Sequence, residues 1–175
     1  MNNSIETYYF LGIGGIGMSA LARYFAAKGY RVLGYDKTAS PLTKELEKEG
    51  IGVQYDDSTD EVRTLDVDTT VVVRTPAVPE DMAVYVYLRD KGFRILKRAE
   101  VLGIVTRAER ALCVAGTHGK TTTSGMASYV LEKSALEPAF VVGGIVPEIS
   151  TNAQHKGGDF FVACKAKHVK ALSKN

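Results

Sequence analysis

Twice in this chain an apolar run breaks into glycines and passes at once into a helical pattern, and that arrangement leaves few folds open. The first instance joins Thr7 to Ile13 (TYYFLGI) to a helix over Gly14 to Lys28 through Gly12, Gly14 and Gly17. The second joins Ala111 to Ala115 to a helix over Lys120 to Lys133 through Gly116-Thr117-His118-Gly119. A strand that turns through glycines directly into a helix belongs to parallel sheets covered by helices, because a parallel neighbour needs a crossover. The expected fold class is α/β: a Rossmann-like parallel sheet domain over 1–108, then the start of a P-loop α/β domain over 109–163. A basic tail of different character follows over 164–175.

The stretches between the loops carry the same alternation. Met18, Leu21, Ala22 and Phe25 fall on one helical face, and Gly29 ends that helix. Strands are expected at Arg31 to Tyr35, Gly52 to Tyr55, Thr69 to Arg74 and Phe93 to Leu96. Helices are expected at Pro41 to Glu49, Met82 to Lys91 and Arg98 to Arg107. Beyond the second loop, the helix carries Met126, Val130 and Leu131. Strands at Ala139 to Val142 and Asp159 to Ala163 are joined by a Gly, Asn and Ser-rich connection.

Composition narrows the function classes. With 45% hydrophobic and 24% charged residues, the chain can build a core. No apolar run approaches the roughly 20 residues that span a bilayer, and the polar start carries an acid unsuited to a secretory signal. The expectation is a cytoplasmic protein with no membrane contact. The formal charge of +2 comes from Lys165, Lys167, Lys170 and Lys174; residues 1–163 hold 18 basic against 20 acidic side chains. A weakly acidic body argues against a nucleic-acid partner. Cys113, inside an apolar strand, is expected to be a buried free thiol. His155 and His168 have no partners at ligand spacing and are expected on the surface.

Gly12, Gly14 and Gly17 fit G-x-G-x-x-G. The first permits the tight turn, the second lets a diphosphate approach the backbone, and the third allows helix and strand to pack closely. Asp36, at the end of the next strand, is where an acid commonly meets a ribose or base edge. The motif does not distinguish NAD from another nucleoside diphosphate. In the second loop, Lys120 is suited to neutralising β/γ-phosphate oxygens and the Thr121 hydroxyl to ligating Mg²⁺. The full G-x-x-x-x-G-K-[ST] pattern needs glycine where Val114 stands, so this loop is a shortened form. His118 is a weaker catalytic assignment than a positioning one. Thr122 and Thr123 either extend the phosphate contacts or simply occupy the first helical turn.

The runs Phe10-Leu-Gly-Ile-Gly-Gly-Ile-Gly-Met18, Thr75-Pro-Ala-Val-Pro79, Leu96-Lys-Arg-Ala-Glu-Val-Leu102 and Gly116-Thr-His-Gly-Lys-Thr-Thr122 come in an order that resembles the Mur ligase family. Gly143-Gly144 and Ser150-Thr-Asn-Ala153 resemble the segment after that family's ATP helix. The resemblance runs from about Tyr8 to Ala163. It implies a three-domain peptidoglycan-building ligase using ATP and Mg²⁺, and the first run points to the branch that adds L-alanine to UDP-N-acetylmuramate. By that resemblance the lactyl carboxylate is activated as an acyl phosphate and attacked by the amine. Gly12, Gly14, Gly15 and Gly17 would hold the UDP diphosphate, Asp36 would lie near the uridine, and Thr75, Arg98 and Asn152 would be further substrate contacts. Gly116 to Thr122 would bind ATP, with Thr121 on Mg²⁺.

After Ala163 the family continues with an acidic segment that helps to bind Mg²⁺, whereas this chain has Cys164-Lys-Ala-Lys167. Ser150 stands where the family usually has glycine. The expectation is a truncated or frame-shifted ligase with little or no ligase activity alone. Three rivals stay open: a non-catalytic UDP-sugar-binding module, a nicotinamide-dependent Rossmann oxidoreductase, and a related amide ligase acting on murein peptide or a folate.

Overall fold

The computed structural model describes residues 4–134, 136, 138–146, 151–154, 158 and 160–164. Ser150, His155, His168 and the lysines of the expected tail lie outside the described residues. The chain divides into two compact units, Met1–Arg98 and Ala99–Asn175, so the division falls at the start of the helix Arg98–Ala108 rather than after it.

In the first unit β1 (Thr7–Leu11), α1 (Ile16–Ala27), β2 (Arg31–Tyr35), α2 (Pro41–Lys48), β3 (Gly52–Gln54), β4 (Thr70–Arg74), α3 (Ala83–Asp90) and β5 (Arg94–Lys97) follow in turn. A short 3₁₀ turn at Val62–Thr64 precedes β4. The five strands are parallel in the order β3-β2-β1-β4-β5. β1 is central and buried on both faces, which explains its near-continuous apolar run. Tyr9 and Leu11 join the cluster of Leu33, Val72, Val84 and Leu88 under α3. Tyr8 stacks on Phe25 of α1 at 3.7 Å between ring centroids, and Phe10 meets the same ring at 6.4 Å.

The expected face of α1 is the buried one: Met18, Leu21, Ala22 and Phe25 are all at most 5% exposed. β1 stops at Leu11 and α1 starts at Ile16, because Gly12 adopts φ +86° and leaves the strand there. α2 opens on a reciprocal cap, with the Ser40 hydroxyl accepting from Thr43 N–H and Thr43 Oγ1 from Ser40 N–H.

In the second unit α4 (Arg98–Ala108) leads to β6 (Arg110–Val114), α5 (Lys120–Lys133), β7 (Ala139–Val146), β8 (Thr151–Gln154) and β9 (Phe160–Cys164). Their order is β6-β9-β7-β8, parallel except for the antiparallel pair β7–β8. β8 falls where the sequence reads as a connection. Its residues Thr-Asn-Ala-Gln have no apolar alternation, and it forms by pairing antiparallel with β7, Phe140 opposite Gln154, Val141 opposite Ala153 and Val146 opposite Thr151.

Cys113 is exposed, against the expectation of a buried thiol. The apolar run suggests cover on all sides, but among the described strands β6 has one neighbour, β9, and lies at the sheet's edge. α5 departs from its pattern similarly. It buries Ser124, Gly125 and Ser128 and leaves Met126 and Val130 each 65% exposed. Leu131 and Ala127 pack on Phe140, Val142 and Val162. Among the described residues no helix is long and apolar enough to cross a membrane.

Candidate functional site

In an open parallel sheet, ligands enter the crevice where strand order reverses, beyond the carboxyl ends of the strands. Here that point lies between β1 and β4, and a cavity of about 640 Å³ opens there, a size suited to a small-molecule ligand. Gly12 and Gly15 from the β1–α1 turn, Tyr35 to Lys37 after β2 and Thr75 after β4 line it. Met18, Ala77, Val78, Pro79 and Met82 add an apolar wall, and Asp57 and Asp81 add two carboxylates.

Local chemistry fixes the turn. An added Cβ on Gly12 would sit 2.6 Å from Thr75 Cγ2, besides the cost of its positive φ. Gly14 donates its N–H to Asp36 Oδ2 at 2.8 Å, and Asp36 Oδ1 accepts from Thr38 N–H at 3.1 Å. The space left by the missing Gly14 side chain faces Asp36 and Thr43, each with an atom 2.8 Å away. Of the turn glycines, Gly12 and Gly15 line the cavity, and Gly15 is the residue before α1. Gly17 likewise makes room for the Arg98 side chain rather than for a strand.

The structure thus brings Gly12, Gly15, Asp36 and Thr75 to one cavity; Gly14 and Gly17 belong to the same turn and start of α1 without lining it, and Arg98 lies against Gly17. Sequence reasoning missed Asp57. Its carboxylate accepts from Ala83 N–H at 2.8 Å and Val84 N–H at 2.9 Å, satisfying two donors of the first turn of α3. Asp57 and α3 are too far apart in sequence for any spacing rule to link them. The Val78–Met82 wall was equally silent. It is held by Arg74, whose Nη2 donates to Val78 O at 3.0 Å and whose Nη1 pairs with Glu80 at 3.1 Å. The Arg74 guanidinium also lies 4.3 Å from the Tyr85 ring centroid. Burial pushes the Tyr35 hydroxyl above its ordinary pKa, with Asp57, Asp36 and Asp56 adding to the shift, so it stays a neutral donor at the cavity.

Gly116 to Gly119 form an exposed turn between β6 and α5 in the second unit, with Gly119 left-handed at φ 74°. Lys120 Nζ folds back to donate to Gly116 O at 2.8 Å and Thr117 O at 3.1 Å. Thr121 and Thr122 are exposed in the first turn of α5, and His118 is exposed in the loop. Asn152 is fully buried in β8. No group of three or more His, Cys, Asp or Glu side chains placed to hold a metal occurs among the described residues.

A five-stranded parallel sheet in this order, with a glycine turn and a cavity at its switch point, defines a doubly wound α/β unit of Rossmann-like type. Residues 7–110 match the model of the Mur ligase family, catalytic domain, and the chain belongs to that family. Among its relatives is the UDP-N-acetylmuramate–L-alanine ligase of Parabacteroides distasonis, 51% identical over 152 residues, covering 86% of this chain and 33% of that protein. The protein of the same name from Cytophaga hutchinsonii is 44% identical over 167 residues, covering 93% and 36%.

A solved UDP-N-acetylmuramate–alanine ligase from Thermotoga maritima superposes with a TM-score of 0.79 at 31% identity, covering 90% of this chain and 36% of that one. A Neisseria ligase, named for UDP-N-acetylmuramate and L-alanyl-γ-D-glutamyl-meso-diaminopimelate, gives 0.78 at 29% identity, covering 91% and 52%. The chain spans about a third of the length of the curated relatives it matches.

Proposed function

We propose that this chain is the amino-terminal portion of an ATP-dependent ligase that joins L-alanine to UDP-N-acetylmuramate in cytoplasmic peptidoglycan synthesis. The cavity between β1 and β4, built on the glycine turn, is the observation that carries this reading. It has an apolar wall of Met18, Val78 and Met82 for a base, and carboxylates and a phenol suited to ribose hydroxyls. Its glycine turn leads into α1, whose first turn holds no acidic residue and no side-chain cap, an arrangement that favours a phosphate.

ATP belongs to the second unit. The exposed Gly116 to Gly119 backbone, with a lysine amine already bonded to its carbonyls, has the donor chemistry of a phosphate loop. Thr117, His118, Lys120 and Thr122 would contact the phosphates, and Thr121 would give Mg²⁺ one oxygen, phosphates and water supplying the rest. Bound ATP supplies the phosphoryl group that activates the carboxylate. Lys120 turns its charge from the two carbonyls to the phosphate oxygens, where developing negative charge needs it. A nicotinamide-dependent oxidoreductase leaves this second loop without a role.

Isothermal calorimetry on the 175-residue chain tests the reading. UDP-N-acetylmuramate should bind with 1:1 stoichiometry, and NAD(H) and NADP(H) should give no heat. Binding of a nicotinamide dinucleotide without UDP-N-acetylmuramate would overturn it.

A further inference from the structure

The apolar wall of the cavity hangs between two fixed points. β4 ends at Arg74, whose backbone stands opposite Leu11 of β1 and Lys97 of β5. At the far side α3 begins at Ala83, its first turn held by Asp57. Between them Val78 donates its N–H to Thr75 O at 3.2 Å. Pro79 has no N–H to give, and the N–H groups of Glu80, Asp81 and Met82 make no backbone hydrogen bond among the described residues. A segment with so few bonds of its own keeps one shape only if something outside it holds it there.

The Arg74 side chain, 17% exposed, has the means to do so. Its Nη2 bonds Val78 O, its Nη1 pairs with Glu80, and Tyr85 of α3 lies against its guanidinium. The remaining nitrogen, Nε, is buried and has no partner among the described residues. Every hydrogen bond that the guanidinium makes among the described residues therefore goes to the wall, while the Tyr85 ring fixes its plane. Arg74 does not itself line the cavity. We infer that Arg74 is a positioning residue: it latches the Val78–Met82 wall against the cavity and so sets affinity for the nucleoside part of the ligand without touching it. This rests on the proposed nucleoside-diphosphate site and names what regulates its shape. A wall that swings free is competent for only part of the time, and affinity falls by that fraction. A planar fork reaches two acceptors at once from one rigid group, which the single ammonium of lysine does less well.

Calorimetry with uridine and with UDP on the whole chain tests the latch. Arg74→Met keeps the apolar stem and should weaken both ligands by one common factor of about tenfold, the order of one lost charge-assisted hydrogen bond. The stoichiometry should stay at one, whereas mere unfolding lowers the stoichiometry and leaves the affinity of the folded fraction unchanged. Arg74→Lys should fall between the two. Glu80→Gln should change affinity by less than about twofold, because that carboxylate is 78% exposed. Tyr85→Leu should weaken both ligands, and Tyr85→Phe, which keeps the ring, should bind as the wild type does; this pair carries the test if Arg74→Met does not fold. Amide exchange at Glu80, Asp81 and Met82 should quicken in Arg74→Met, with β1 unchanged. Unchanged uridine affinity in the folded variants would overturn the latch and leave the site standing, as would a loss confined to UDP or a fall in stoichiometry alone. Failure of the wild type to bind either ligand would overturn both the latch and the site.

Discussion

Gly14 and Asp36 form a contact on which the shape of the first loop depends. The carboxylate sits where any side chain at residue 14 would go, and it fixes the turn by accepting the Gly14 N–H. Gly14→Ala should therefore cost about 1–3 kcal/mol of stability, the usual penalty for forcing atoms into a packed site. A lowered urea midpoint with unchanged m-value would show it, and an unchanged midpoint would refute the packing. Glu61 offers a pH-dependent test in the same unit. Burial raises its carboxyl pKa above the ordinary 4.5, with Asp56 adding to the rise and Arg31 opposing it. One of its oxygens is buried without a partner, as is the Tyr9 hydroxyl. Its folded state therefore prefers the proton: the stability tied to this group is complete below pH 4.5 and is lost as pH rises through the higher folded value. Glu61→Gln should raise the urea midpoint at neutral pH, and the gain should vanish in acid below the ordinary value. A gain that persists in acid would contradict the assignment. Neither arrangement is visible in sequence, because each depends on a neighbourhood that only the folded sheet creates.

At the scale of elements, the periodic segments were legible and the unpatterned ones were not. β2 and α5 begin and end where spacing placed them, because each is bounded by glycine or a change of pattern. β8 was missed because its residues carry no alternation, and Cys113 was misplaced because an apolar strand can still lie at an edge. Of the cavity's lining, Gly12 and Asp36 were named from the motif and Gly15 and Thr75 from the family resemblance, whereas Asp57 and the packing of Val78 and Met82 as its wall required the fold. Asp57 gives the element-level prediction. Asp57→Ala removes the acceptor for two N–H groups of α3 and should cost about 1 kcal/mol, as lost helix caps do. It should also speed amide hydrogen exchange at Ala83 and Val84. Unchanged exchange there would show that the cap contributes nothing. The edge strand β6 should exchange faster than central β1, since part of its backbone lacks a neighbouring strand among those described.

For the molecule as a whole, two glycine turns at the ends of two strands stand one in each of two compact units. The first unit holds a formed cavity at a sheet switch point, and the second holds an exposed glycine loop whose lysine is bonded to its own carbonyls. On the proposed function, the first unit binds the UDP-sugar at the β1–α1 turn, separately from the glycine loop at Gly116. Backbone amide chemical-shift mapping of the 175-residue chain with UDP-N-acetylmuramate tests it most directly. Saturable shifts are expected at Gly12, Gly15, Lys37 and Thr75, with Gly116 to Thr122 unmoved. Shifts confined to Gly116 to Thr122, or none at the β1–α1 turn at saturation, would contradict the account.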